Sequence, residues 1–386
     1  MISLLVLVVI VIFLASYLFY GRFLFKQMRL DDSRPTPACR LNDGVDFVPA
    51  KPALLLGQHF SAISAAGPIV GPILACIWFG WLPAVLWIII GAVFIGGVHD
   101  FLSLVASIRH KAASIGEIVK HHMSRTSHIL FLIFVWFALI YVIIAFTEQL
   151  LKESNALPVG YGAMLLEGLV AVLALATVIM IPKGADILKT DPNLIYANGI
   201  ASYLGLMGVG FSIAFPFALL VFSTFVYDTL DVCTRLARYI FQELTGWETR
   251  IGGFFAALIS LVIPFAFLTL TQEKGYLVAW PIFGTSNQLL ASLILLAISM
   301  WLIRSGKNAL YSILPMIFML GMTLWSLILL ILPFLKSLSD LFSGIAIKSD
   351  TVISGICGII LFILSVLLIF EAIRVLVLKP VKDKKA

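Results

Sequence analysis

The chain has 386 residues, of which 61% are hydrophobic and 12% charged, and its mean hydropathy of +1.08 lies far outside the range of soluble domains, whose apolar share is about 45–50%. That composition excludes a soluble enzyme and reads as an all-α polytopic membrane protein. The net charge of +6 comes without a basic, aromatic-interleaved patch, so no nucleic-acid partner is expected, and the surplus Lys and Arg report on orientation instead.

In chain order, residues 2–20 are an apolar run about as long as one span requires. The following loop, 21–52, carries Arg22, Lys26, Arg29, Arg34, Arg40 and Lys51, which places it in the cytoplasm and the N-terminus outside. Next comes GQHFSAISAAGPIVGP, from Gly57 to Pro72. It stands where a span belongs, yet Pro68 and Pro72 each remove a helix donor and clash with the preceding turn. Broken backbone at membrane depth is tolerated only where it is buried in protein or lines a cavity, and such breaks mark the substrate sites of secondary transporters. A discontinuous helix near 59–78 is therefore expected, with His59, Ser61, Ser64, Gly67, Pro68, Gly71 and Pro72 as candidate substrate-binding residues. Trp78, Trp81 and Trp87 suit an interfacial belt around the turn into a span at 84–106. His99 and Asp100 lie inside that span, and Asp100 is either a functional intramembrane carboxylate or a partner of Arg109 or His99.

Residues 107–127 are basic and read as a cytoplasmic loop with a short amphipathic helix from Ser114. Its adjacent His121 and His122 point to different helix faces, so no metal is assigned. Spans follow at 128–147 and 160–181, the second holding Glu167; 193–210 reads as a re-entrant or surface helix. The run 211–243 places Thr224, Asp228, Asp231 and Arg235 on one face. Hydroxyls and carboxylates there supply the hard oxygen ligands that small cations need. Ser223, Thr224, Asp228 and Asp231 are the candidate ion-coupling residues, with Asp231 and Arg235 also readable as a solvated interfacial pair. The last spans are 251–272, 281–303, 309–333 and 352–377. WPIFGTSNQLL opens the second of these, either as a hydrogen-bonded helix start or as a second wall of a polar cavity that includes Asn287. Lys379, Lys382, Lys384 and Lys385 make the tail cytoplasmic. The four cysteines, Cys39, Cys76, Cys233 and Cys357, are scattered and suggest neither disulfides nor a zinc site.

The whole is expected to be one transmembrane domain, 1–386, of about ten spans, in three stretches: 1–147 with the broken helix, 158–305 with the polar helix, and 306–386. Alternating crossings from an outside N-terminus would leave the lysine tail outside, against the positive-inside rule. An odd number of spans must be added or removed between about 147 and 211; one repair makes 193–210 a true span.

HFSAISAAGPIVGPILA, FGWLPAVLWIIIGAVFIGGVHDFLSL, SIGEIVK, PVGYGAMLLEGLVAV, FSTFVYDTLDVCTRLARYIFQEL and WPIFGTSNQLLA resemble, in order, the signatures of the carbon starvation protein A family of membrane transporters. The resemblance covers most of residues 1–305. It implies import of pyruvate or small peptides under carbon starvation, coupled to a cation (Na+ or H+) with no other cofactor, on an inverted-repeat scaffold in the cell (inner) membrane. The Gly67–Pro72 break would then contact substrate, and the Thr224 helix would take the cation. This sequence departs from the family pattern where Phe146 runs straight into Thr147 and Glu148, at the place of several further spans. The alternative reading is a non-transporting membrane subunit, or a truncated remnant, that binds a membrane-protein partner. No HExxH, nucleophile elbow or carboxylate pair beside a base suggests an enzyme.

Overall fold

The computed structural model describes residues 2–41, 49–64, 66–110, 115–139, 152–247, 249–270, 275–342 and 349–378. All of its regular elements are helical, as the composition requires of a chain that must satisfy every backbone group inside hydrocarbon. The long helices are α1 (Ile2–Met28), α2 (Pro52–Ile63), α3 (Gly67–Phe79), α4 (Trp81–Arg109), α5 (Ile115–His122), α6 (Arg125–Leu139), α7 (Glu153–Ile179), α8 (Pro192–Leu206), α9 (Phe211–Thr245), α10 (Arg250–Leu270), α11 (Gly275–Arg304), α12 (Leu310–Phe342) and α13 (Ser349–Leu378). Among the described residues, seven stretches are long and apolar enough to cross a membrane, and α2 with α3 forms an eighth, bent by 45°. Arg125–Val135 and Arg250–Ala266 are shorter apolar helices, so each of the expected spans has an apolar helix at its place. The end of the span 128–147, the Phe146–Thr147 junction and the lysine tail lie outside the described residues.

Three boundaries differ from the sequence expectation. Arg22 and Lys26 sit on the last turns of α1, not in a loop; long basic side chains lie along a helix while their charged ends reach water. α1 stops at Arg29, which takes a left-handed φ of 50°. The stretch 193–210 is no surface helix: α8 packs against α3 and α7 and buries Ile195, Tyr196, Ala197 and Ala201. With 15 residues it is about 22 Å long, short of the roughly 30 Å hydrocarbon core, so it does not repair the charge asymmetry as a simple crossing. The third is the helix break, which falls at 64–66. Pro68 lies in the first turn of α3, where its missing donor costs nothing, and Pro72 is carried inside α3.

Two units build the chain: Met1–Lys111 with Glu148–Asp231, and Ala112–Thr147 with Val232–Ala386. In the first, α7 is the hub, packed against α1, α2, α3, α4 and α8, with Ile69, Ile73, Ala174, Val178, Ile195 and Tyr196 at its core. Wide π-helical turns at Tyr17–Gly21, Gly91–Gly96 and Leu157–Gly162 meet around the fully buried Tyr161. Its hydroxyl donates to the Val93 carbonyl at 3.3 Å, serving backbone that the π turn disturbs. Gly97 admits the Tyr161 ring, and Gly160 lies against the backbone of Phe101; small residues permit such close approach in membranes. In the second unit α11 packs against α5, α6, α12 and α13. Polar side chains tie its helices: Ser124 caps α6 through the Ser127 N–H at 3.0 Å and donates to Glu371 at 2.7 Å.

Candidate functional site

The half-helix α2 begins at Pro52, whose fixed φ and missing N–H suit a first helical position. Successive residues of a helix are about 100° apart, so His59 and Ser61 project to nearly opposite sides, and each meets a carboxylate within the first unit. His59 Nε2 lies 3.6 Å from Asp100 Oδ2, and the Ser61 hydroxyl donates to Asp228 Oδ2 at 2.6 Å. Asp100 is also 2.7 Å from His99 Nδ1 through its other oxygen. The three ring and carboxyl groups are buried, with 3%, 2% and 6% of the surface of His59, His99 and Asp100 exposed. Glu167 of α7 is near enough to Asp100 for the two carboxyl groups to repel when both are ionised. A buried carboxylate is costly unless paired and hydrogen-bonded, and here the pairing groups are imidazoles. Among the described residues, no group of three or more His, Cys, Asp or Glu is arranged to hold a metal ion.

At the break itself, Ser64 ends α2 and is fully buried. Its hydroxyl makes no hydrogen bond among the described residues. Beyond it in sequence the N-terminus of α3 opens at Gly67, with the Ala66 carbonyl accepting from the N–H groups of Ile69 and Val70, so the positive end of a thirteen-residue helix begins three residues after that serine. Gly71 is half-buried in α3, and an added Cβ there would meet nothing within 4 Å.

The Asp228 face is only partly as expected. Asp228 has a protein donor in Ser61. Thr224 is exposed and turns its hydroxyl to the Leu220 carbonyl of its own helix at 2.9 Å, the ordinary back-bond of a helical Thr. Ser223 is half-buried and Asp231 exposed. Asn287 is half-buried on α11 in the second unit. Near it, Thr285 bonds the Ser326 hydroxyl at 2.8 Å and Ser286 the Phe283 carbonyl at 3.0 Å, so the hydroxyls of that polar stretch are spent within their own unit.

Arg109 does not pair with Asp100. It donates to the Met28 carbonyl at 2.7 Å and faces Glu153 at 3.6 Å, an arrangement that 43 intervening residues of sequence gave no sign of. The Asp100 cluster was more legible, since an intramembrane Asp beside a His already signals function; its His59 arm needed the fold. Ser61→Ala removes the donor to Asp228 and is expected to cost about 1 kcal/mol, read as a lower melting temperature in detergent than wild type. Identical melting curves would show that the bond contributes nothing to holding α2.

A family model described as carbon starvation protein CstA matches residues 1–152, 145–188 and 183–326. A peptide transporter CstA of Helicobacter pylori (strain ATCC 700392 / 26695) is 53% identical over 115 residues, 30% of this chain and 17% of the relative. A peptide transporter CstA of Escherichia coli (strain K12) is 38% identical over 150 residues, 39% of this chain and 21% of the relative. A pyruvate/proton symporter BtsT of the same strain is 44% identical over 113 residues, 29% of this chain and 16% of the relative. The matched stretches thus span about a fifth or less of these relatives' length. No solved structure matches the chain.

Proposed function

This chain belongs to the carbon starvation protein CstA family, and on that premise we propose that it is a secondary transporter. It would carry a small carboxylate such as pyruvate, or a small peptide, across the cell (inner) membrane, driven by a cation gradient. The observation that carries the reading is the broken span: a buried hydroxyl, Ser64, with no hydrogen-bond partner among the described residues, three residues before the N-terminus of α3. Helix N-termini favour anions, and a substrate carboxylate would supply the acceptor that Ser64 lacks. His59, Ser61, Gly67, Pro68, Gly71 and Pro72 shape that place. Asn287 is kept as a substrate residue on its sequence context alone. For the cation there are two carboxylate candidates: Asp100, and Asp228 with Ser223, Thr224 and Asp231 on its helix.

Proteoliposomes holding the purified chain are expected to accumulate labelled pyruvate or alanyl-alanine when a proton or Na+ gradient is imposed, and Ser64→Ala to raise KM more than it lowers the maximal rate, as loss of a binding contact should. No gradient-dependent uptake, with a full-length relative active in parallel, would defeat the reading. A second reading, a non-transporting subunit or remnant, is favoured by one observation: the family match is split at 145–152 and again at 183–188, and the first split falls at the place where the resemblance implies that further family spans are missing. Co-purification with one defined membrane protein, together with failure of uptake, would select it.

A further inference from the structure

We infer that the coupling ion is a proton and that it binds at the His59–Asp100–His99 cluster, not at Asp228; this rests on the transport reading above. Asp100 is bracketed by imidazoles at 2.7 Å and 3.6 Å, and the titratable groups that face it are His99 from its own helix, His59 from α2 and Glu167 from α7. No Lys or Arg forms an ion pair with it among the described residues. The charge that makes an ionised Asp100 tolerable at this depth is therefore one that comes and goes, a proton shared with the two imidazoles that flank it. With the proton bound, the cluster is neutral. When the proton leaves to water, a bare carboxylate remains with Glu167 beside it, a state that burial disfavours. His99 Nε2 is buried and makes no hydrogen bond among the described residues, which leaves a second ring nitrogen for a proton to enter or leave by.

Asp228 lacks these properties. Its contact is a neutral hydroxyl, and the neighbouring Thr224 is committed to its own helix. The cluster is also tied to the transport path through α2: His59 lies five residues before the buried Ser64 on the same half-helix. Holding or losing the His59–Asp100 contact therefore bears on how the broken end of α2 is placed. Charge in the cluster and access at the break are coupled through one short helix.

The test uses the full chain with two readouts. In detergent, potentiometric titration is expected to show Asp100→Asn taking up about one proton per chain fewer than wild type, because the substitution removes the carboxylate whose charge the proton balances. In proteoliposomes, Asp100→Asn is expected to keep exchange of labelled pyruvate across the membrane while losing accumulation driven by a pH gradient. His59→Gln, which leaves the carboxylate in place, is expected to show the same loss of proton uptake in detergent and guards against a folding defect in the first variant. Equal proton uptake by wild type and Asp100→Asn, or loss of driven accumulation in Asp228→Asn with none in Asp100→Asn, would overturn the proposal. If wild type neither exchanges nor accumulates pyruvate, the transport reading falls, and the proton count alone decides whether the cluster binds a proton.

Discussion

Gly199→Ala should sharply reduce the yield and melting temperature of the folded protein, while Gly205→Ala on the same helix should leave them unchanged or slightly raised. Both glycines lie in α8 and both gain helix propensity on substitution, about 1 kcal/mol in an exposed helix interior. They differ in what the new methyl meets. At Gly199 an added Cβ would come within 2.2 Å of Thr177 Cβ and 2.8 Å of its Cα, so backbone must move, whereas at Gly205 nothing lies within 4 Å. Thr177 cannot yield easily: it is fully buried and its hydroxyl is bound to the Ala174 carbonyl at 2.6 Å. Separating α8 from α7 would open the core at Ile195 and Tyr196, and overpacking of this kind costs about 1–3 kcal/mol or more. Melting curves in detergent that rank the two alanine variants equally would refute the argument.

Arg109→Ala is expected to destabilise by about 3–5 kcal/mol, as removal of one partner of a buried pair does, and adding Glu153→Gln to it should restore part of the loss. The guanidinium donates to the Met28 carbonyl at the end of α1 at 2.7 Å and to that of Arg29 at 3.3 Å. It also faces Glu153, 5% exposed, at 3.6 Å. Glu153 in turn accepts the Asp31 N–H at 3.1 Å, and the Ser154 hydroxyl donates to Asp32 at 2.9 Å. Three chain segments thus close on one another through charge and backbone polar groups. Without Arg109, Glu153 is left as a buried carboxylate with no other ion-pair partner among the described residues, and the α1 carbonyls lose a donor; neutralising Glu153 removes the larger of these penalties. Thermal unfolding of the two single variants and the double variant reads the coupling directly. A double variant less stable than Arg109→Ala alone would show that Glu153 is held for a reason other than this pair.

The helical class and the places of the spans were fixed by composition, because a run of apolar residues as long as a bilayer is thick has few other fates. The broken helix was visible only in part: the two Gly-Pro pairs placed the break at Gly67–Pro72, whereas the fold carries both prolines within α3 and bends the chain by 45° between the end of α2 at Ile63 and the start of α3 at Gly67. A sequence cannot state which polar side chains meet. Asp100 had Arg109 and His99 as neighbours on its own helix, and the fold gave Arg109 to Glu153 and brought His59 in from another element. The donor to Asp228, Ser61, is 167 residues away, a separation across which spacing carries no information. Burial on a helix face can be read from spacing alone, but pairing depends on which helices pack side by side. That was decided here by contacts such as Gly199 on Thr177 and Gly160 on Phe101, whose closeness a glycine permits but does not announce.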